Sequence, residues 1–137
     1  MNISETTFDA LNPIIDTLLT KDLNEKMGQK KENFNKLAFS LIKNGETIGG
    51  ITGTINYECF HINGLAVDKS HQGKDYGTEL IRAIESAAVE NGAKLITVST
   101  LSFQALSFYQ KMGYEIFGEL ENCPFENSTK YYLKKKV

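Results

Sequence analysis

The chain predicts an α/β fold: a mixed, twisted sheet flanked by helices, in the order α-β-β-β-α-β-α-β-β. Three observations carry that reading. Apolar residues recur at helical spacing in Phe8–Met27 and again in Gly77–Glu90. Three β-rich segments follow one another between these helices, the first two joined by a two-residue hairpin signal, Asn44-Gly45. After that the pattern alternates strand, helix, strand, and a run of antiparallel strands followed by such a βαβ passage implies a mixed sheet.

Each element has its own justification. In Phe8–Met27 the stripe is Leu11, Ile14, Ile15, Leu18, Leu19 and Leu23, with Asp9 as the expected cap and Pro13 expected in the first turn. The polar stretch Gly28–Asn35 reads as a loop. Leu37–Lys43 is the first strand. Thr47–Tyr57 is the second, with Gly49, Gly50 and Gly53 permitting a bend or close packing. Phe60–Val67 is the third. Its internal Asn63-Gly64 pair reads as a bulged or bent strand in preference to a turn, because a turn would leave flanking pieces of three or four residues. In the second helix Leu80, Ile81, Ile84, Ala87 and Ala88 share a face, and Asn91-Gly92 ends it. Leu95–Thr100 is a short buried strand, and Gln104–Met112 a short helix stopped by Gly113. Tyr114–Leu120 and Lys130–Lys134 close the sheet.

Composition narrows the class. At 137 residues the chain fits one domain spanning 1–137, and 41% hydrophobic with 23% charged residues is globular. Fifteen basic residues against 17 acidic ones do not favour nucleic acid, whose binding rests on phosphate neutralisation. Cys59 and Cys123 form no C-x-x-C pair, and His61 and His71 are the only histidines, so no metal site is expected. Glu5 and Asp9 stand where a secretion signal would be basic and then apolar, and no apolar run reaches the ~20 residues that span a bilayer. A cytoplasmic protein without membrane contact is the expectation. Lys134-Lys135-Lys136 reads as a device that blunts an edge strand or a chain end.

The segment with most chemistry runs from Leu65 to Thr78: an apolar strand end, a glycine-bearing turn and a helix start. Free N–H groups and a partial positive charge at a helix N-terminus, approached through glycines, suit a pyrophosphate. A P-loop would need Lys directly before Ser or Thr, yet Gly77 precedes Thr78; a dinucleotide fingerprint would need a third glycine where Asp75 stands. A plain strand-to-helix turn is the other reading of the same residues.

Gln72-Gly73-Lys74-Asp75-Tyr76-Gly77 resembles the Arg/Gln-x-x-Gly-x-Gly/Ala signature of the GNAT N-acetyltransferase superfamily. Ser102 to Tyr114 resembles its Asn-x-x-Ala-x-x-Phe-Tyr-x-Lys-x-Gly-Phe/Tyr signature, carried by Ala105, Phe108, Tyr109, Lys111, Gly113 and Tyr114. The resemblance covers roughly Leu37 to Leu133. It departs at Asp75, where the family has glycine, and at Ser102, where it often has asparagine. Asp tolerates positive φ better than most residues, so the turn survives, but a carboxylate beside phosphates is repulsive.

The resemblance implies acetyl-CoA as co-substrate and acetyl transfer to a primary amine of a small molecule or peptide. Gln72, Gly73, Lys74, Asp75, Tyr76, Gly77 and Thr78 would hold the pyrophosphate, with Lys74 either reaching a phosphate or simply solvated. Leu65, Ala66 and Val67 would pair with the pantetheine arm, in a gap that family members open by splaying two strands. Ser102, Phe108 and Tyr109 complete the expected coenzyme contacts. Tyr109 would be the general acid for the departing thiolate, or else a packed aromatic. His61 would be the general base, or else a structural histidine; its parity with Asn63 and Leu65 holds only without a bulge. Glu58 is the second choice of base, and a Cys59 acyl intermediate a remote third route. Two rivals remain beside this reading: a CoA-binding regulatory module with little catalysis, and an enzyme for a longer acyl group. Glu32, Glu121 and Glu126 are the acids available to attract a cationic acceptor. Family members often dimerise, so a homodimer is a further expectation.

Overall fold

The computed structural model describes Met1–Gly28 and Glu32–Val137. The chain forms two compact units, Met1–Glu32 and Asn33–Val137. The first is helix α1, Phe8–Met27, which begins and ends where the sequence pattern says. Its cap differs: Thr7, not Asp9, accepts the Ala10 N–H through Oγ1 at 3.2 Å. Thr7 is still extended, at φ −88° and ψ 150°, whereas Asp9 is already inside the helix. Pro13 is therefore the sixth helical residue and lies beyond the first turn. Of the expected loop Gly28–Asn35, residues 29–31 lie outside the described residues, and Phe34 and Asn35 belong to a strand.

The second unit is a six-stranded sheet with β1 (Phe34–Lys43), β2 (Glu46–Asn56), β3 (Cys59–Val67), β4 (Leu95–Leu101), β5 (Glu115–Glu121) and β6 (Thr129–Lys136), in the order β1-β2-β3-β4-β6-β5. Only β3 and β4 run parallel. Helix α2 (Tyr76–Glu90) makes the crossover between them, and the short α3 (Leu106–Lys111) links β4 to β5. Asn44 and Gly45, at φ 52° and 79°, form the expected β1–β2 hairpin. Gly92 and Gly113, at φ 94° and 95°, stop α2 and α3.

One face of the sheet is buried. Ile51, Ile55, Phe60, Ile62, Ile96, Val98 and Leu133 point into a core closed by Leu80, Ile81, Ile84 and Ala88 of α2 and by Tyr109 of α3. Gly53 is the place where that core needs a glycine: a Cβ there would run into the ring of Phe60.

Asn63 is the bulge. Thr52 pairs with Gly64 and Gly53 with Ile62, so Asn63 has no partner of its own on β2, and its side chain accepts from Thr54 Oγ1 at 2.9 Å. The bulge reverses the alternation of β3. Phe60 and Ile62 face the core before it, and Leu65 and Val67 pack against the same core after it. His61 consequently faces away from the side that Leu65 occupies, which corrects the shared parity drawn from the sequence.

The lysine run is a second correction. β6 lies between β4 and β5, and Lys134 is paired on both sides, with Thr97 and Glu115, so it blunts no edge, whereas Lys135 and Lys136 pair with β4 alone. Lys135 instead turns inward, where its Nζ meets Glu85 Oε2 at 3.0 Å and donates to the Met112 carbonyl at 2.9 Å.

Candidate active site

β3 and β4 pair through only three positions: Cys59 with Leu95, Phe60 with Ile96 and His61 with Thr97. Beyond them β3 runs six residues further to Val67, and β4 four further to Leu101, with no pairing between the two. The strands have parted, and one edge of Ile62–Val67 is left without a neighbouring strand. Backbone groups on such an edge accept an extended partner.

The gap opens into a cleft of about 640 Å³. Leu65, Ala66 and Val67 form one wall, and Gln72, Gly73 and Asp75–Thr78 form the end. Phe103, Gln104, Ala105 and Phe108 form the other wall. Of the residues singled out in the sequence, Lys74 and Ser102 lie outside this lining, as do Tyr109 and His61. Ser102 is engaged with β6, its Oγ accepting the Thr129 N–H at 3.4 Å. His71, Phe103 and Gln104 line the cleft without having been assigned a part. Phe103 and Gln104 fall inside the second motif at its variable positions, and His71 abuts the first.

The end of the cleft is a helix N-terminus. Asp75 is the residue before α2, at φ 61° and ψ 16°, and makes no side-chain capping bond. The first-turn amides of Tyr76, Gly77 and Thr78 therefore remain donors without a cap from Asp75, at the positive end of the helix dipole. Gly73, at φ 81°, has open space where a Cβ would stand. Gln72 Nε2 donates to the Val67 carbonyl at 3.0 Å and ties the turn back to β3. A three-residue 3₁₀ turn, Lys69–His71, leads into it. There Ser70 Oγ donates to Asp68 Oδ2 at 2.5 Å, and His71 Nδ1 lies 3.2 Å from the same oxygen. The Ser70 hydroxyl first, and His71 second, hold the Asp68 carboxyl below the usual range.

Tyr109 and His61 lie on opposite faces of the sheet. Tyr109 is buried in the core, with edge-to-face contacts to Phe108 at 5.4 Å and to Tyr114 at 5.7 Å between ring centroids. Burial pushes its phenol up to about 12. His61 stands on the other face at the last β3–β4 pair, its Nδ1 2.8 Å from Thr97 Oγ1. Partial burial, and then the Lys130 ammonium, lower its pKa from 6.5. Glu58 lies in the β2–β3 turn, where its carbonyl accepts the Lys94 N–H at 2.7 Å. Cys59 is an exposed free thiol two residues from His61 on the same strand face. Among the described residues no cluster of three or more His, Cys, Asp or Glu side chains forms a metal site, and no helix is long and apolar enough to cross a membrane.

The chain is similar to known acetyltransferases in sequence and in fold. The profile of the Acetyltransferase (GNAT) family matches residues 7–114. A blasticidin-S acetyltransferase from Streptomyces morookaense is 34% identical over 94 residues, which is 68% of each chain. An acetyltransferase from Bacillus cereus superposes with a TM-score of 0.87 at 28% identity, covering 100% of this chain and 98% of its own. A GNAT family acetyltransferase from Elizabethkingia anophelis, solved with acetyl-CoA bound, gives a TM-score of 0.67 at 19% identity over 100% of this chain and 94% of that one.

Proposed function

From the premise that this chain belongs to the acetyltransferase (GNAT) family, we propose that it moves the acetyl group of acetyl-CoA onto a primary amine of a small molecule, by direct attack. The observation that carries this reading is the parting of β3 from β4 directly above an uncapped helix N-terminus. The pyrophosphate takes the amides of Gly73 and Tyr76–Thr78. The pantetheine arm lies along Leu65–Val67 as a substitute strand, which runs the thioester toward the point where the strands meet, between Tyr109 on one face and His61 on the other.

The chemistry divides between those faces. An alkylammonium with pKa about 10.4 leaves roughly one molecule in 2,500 neutral at pH 7, a cost of about 5 kcal/mol. His61, held neutral by its surroundings, takes the amine proton as the C–N bond forms. The C–S bond then breaks and the electron pair leaves on sulfur. A phenol at about 12 gives up its proton poorly to a thiolate whose acid has pKa about 8.5. Tyr109 therefore serves as a hydrogen-bond donor to the developing thiolate, and the imidazolium returns its proton to solvent.

The curated relative's name makes blasticidin S the first amine to try. The test is an amine and peptide panel assayed for CoA release, alongside calorimetry with CoA. Binding with heat and turnover on at least one amine supports the enzyme. No heat at millimolar coenzyme removes the reading. Binding without turnover on any amine favours a regulatory module, for which Asp75 beside the phosphates is the motivating residue; competition by longer acyl-CoA thioesters tests the acyl group.

A further inference from the structure

His61 and Thr97 are the last residues that β3 and β4 share before the strands part. Their side chains lie on the same face and meet at 2.8 Å, from Nδ1 to Oγ1. Among the described residues the His61 ring makes no other hydrogen bond. Both backbones are held on their far sides, His61 by Thr54 of β2 and Thr97 by Lys134 of β6. Thr97 is also β-branched, with few rotamers open to it. The oxygen is thus a fixed point against which the ring is oriented.

A neutral imidazole has one N–H and one lone pair, and the bond made by one nitrogen decides the state of the other. If the Thr97 hydroxyl donates to Nδ1, the ring's proton sits on Nε2 and its lone pair is already used. If Thr97 accepts from Nδ1–H, the Nε2 lone pair is free. Only the second arrangement provides a base.

The geometry points to Thr97 as the positioning residue that holds His61 in its Nδ1–H tautomer, so that Nε2 receives the amine proton. The inference rests on the role given to His61 above. The charged groups that register places on this face are Lys36 of β1, which pairs with Thr54 beside His61, Lys130, Lys134 and Lys136 of β6, and Glu115 of β5 opposite Lys134. Lys130 acts on the ring's protonation, whereas Thr97, being uncharged, acts on which nitrogen carries the proton. The two effects are separable by experiment.

With two histidines in the chain, long-range ¹H–¹⁵N correlation spectra resolve each ring. Above the titration of His61, the unmodified protein should show the Nδ1–H form. Thr97→Val should move the ring toward Nε2–H and lower kcat/KM about tenfold or more, with the heat of CoA binding unchanged. Thr97→Ser should restore both tautomer and rate. An Nε2–H ring in the unmodified protein overturns the proposal, as does a Thr97→Val variant that keeps both tautomer and rate. His61→Gln at the parent rate would remove the base itself, while leaving coenzyme binding and the acetyltransferase reading intact.

Discussion

Asp75 occupies a left-handed backbone position, φ 61°, where an ordinary L-residue is disfavoured by about 1–2 kcal/mol. It also lines the end of the cleft without capping the helix. A glycine would relieve the backbone and remove a negative charge from the end of the cleft proposed to take the pyrophosphate. Asp75→Gly is expected to tighten CoA binding about two- to fivefold, the scale of one screened surface charge; isothermal calorimetry that shows weaker binding would contradict the placement. Tyr109→Phe removes the proposed donor to sulfur and keeps the ring packing. It is expected to lower kcat about tenfold to a hundredfold with KM for acetyl-CoA little changed. His61 has a definite pH signature. Partial burial and Lys130 lower its pKa, so the acid limb of kcat/KM should fall below the ordinary 6.5 and vanish in His61→Gln. Linkage gives the same sign for stability. Unfolded His61 titrates near 6.5, so between that value and the lower folded one the unfolded chain binds more protons. Stability therefore drops as pH falls through this window and levels off beneath it.

Among the elements, α2, α3 and β6 are tied by one polar cluster. Lys135 of β6 reaches Glu85 of α2 and the carbonyl of Met112 at the end of α3. Tyr114 donates to the same carboxylate at 2.8 Å, and its phenol is pushed up by burial first and then by Glu85. The Lys135 and Glu85 side chains are 28% and 14% exposed, dry enough for a stranded charge to be costly. Lys135→Met should lower unfolding free energy by about 2 kcal/mol, read from urea titration, and adding Glu85→Gln, which removes the stranded charge but keeps an acceptor for Tyr114, should recover part of it. The element order was legible because apolar spacing reports which face a helix or strand buries. At α1 the cap moved from Asp9 to Thr7 without moving the helix, and boundaries shifted where pairing lengthened a strand, as at Phe34 and Lys135. The bulge at Asn63 was legible from Asn-Gly, but its effect on His61 required the register with Thr52 and Gly53.

For the whole molecule, coenzyme binding should appear as stability. A ligand at a hundred times its Kd adds about 2.7 kcal/mol, so thermal denaturation with excess CoA should shift upward, and less so with other adenine nucleotides. The cleft was readable from contiguous sequence because Leu65–Thr78 supplies a wall and the end by itself. The far wall was half visible: Phe108 stood out by motif, while Phe103 and Gln104 occupy variable positions. Thr97 was not readable at all, since its partner lies 36 residues away and only the parallel register brings them together.

That short register has a mechanical consequence. Strands β1–β3 and β4–β6 are stitched along a seam only three rungs long. The guest molecule laid into the opening would lengthen the stitching from one side, like a missing thread. Amide deuteration at Ile62–Val67 and Val98–Leu101 should accordingly slow when CoA is added, more than in β1 or β5, and equal slowing everywhere would mean the two halves never breathe apart.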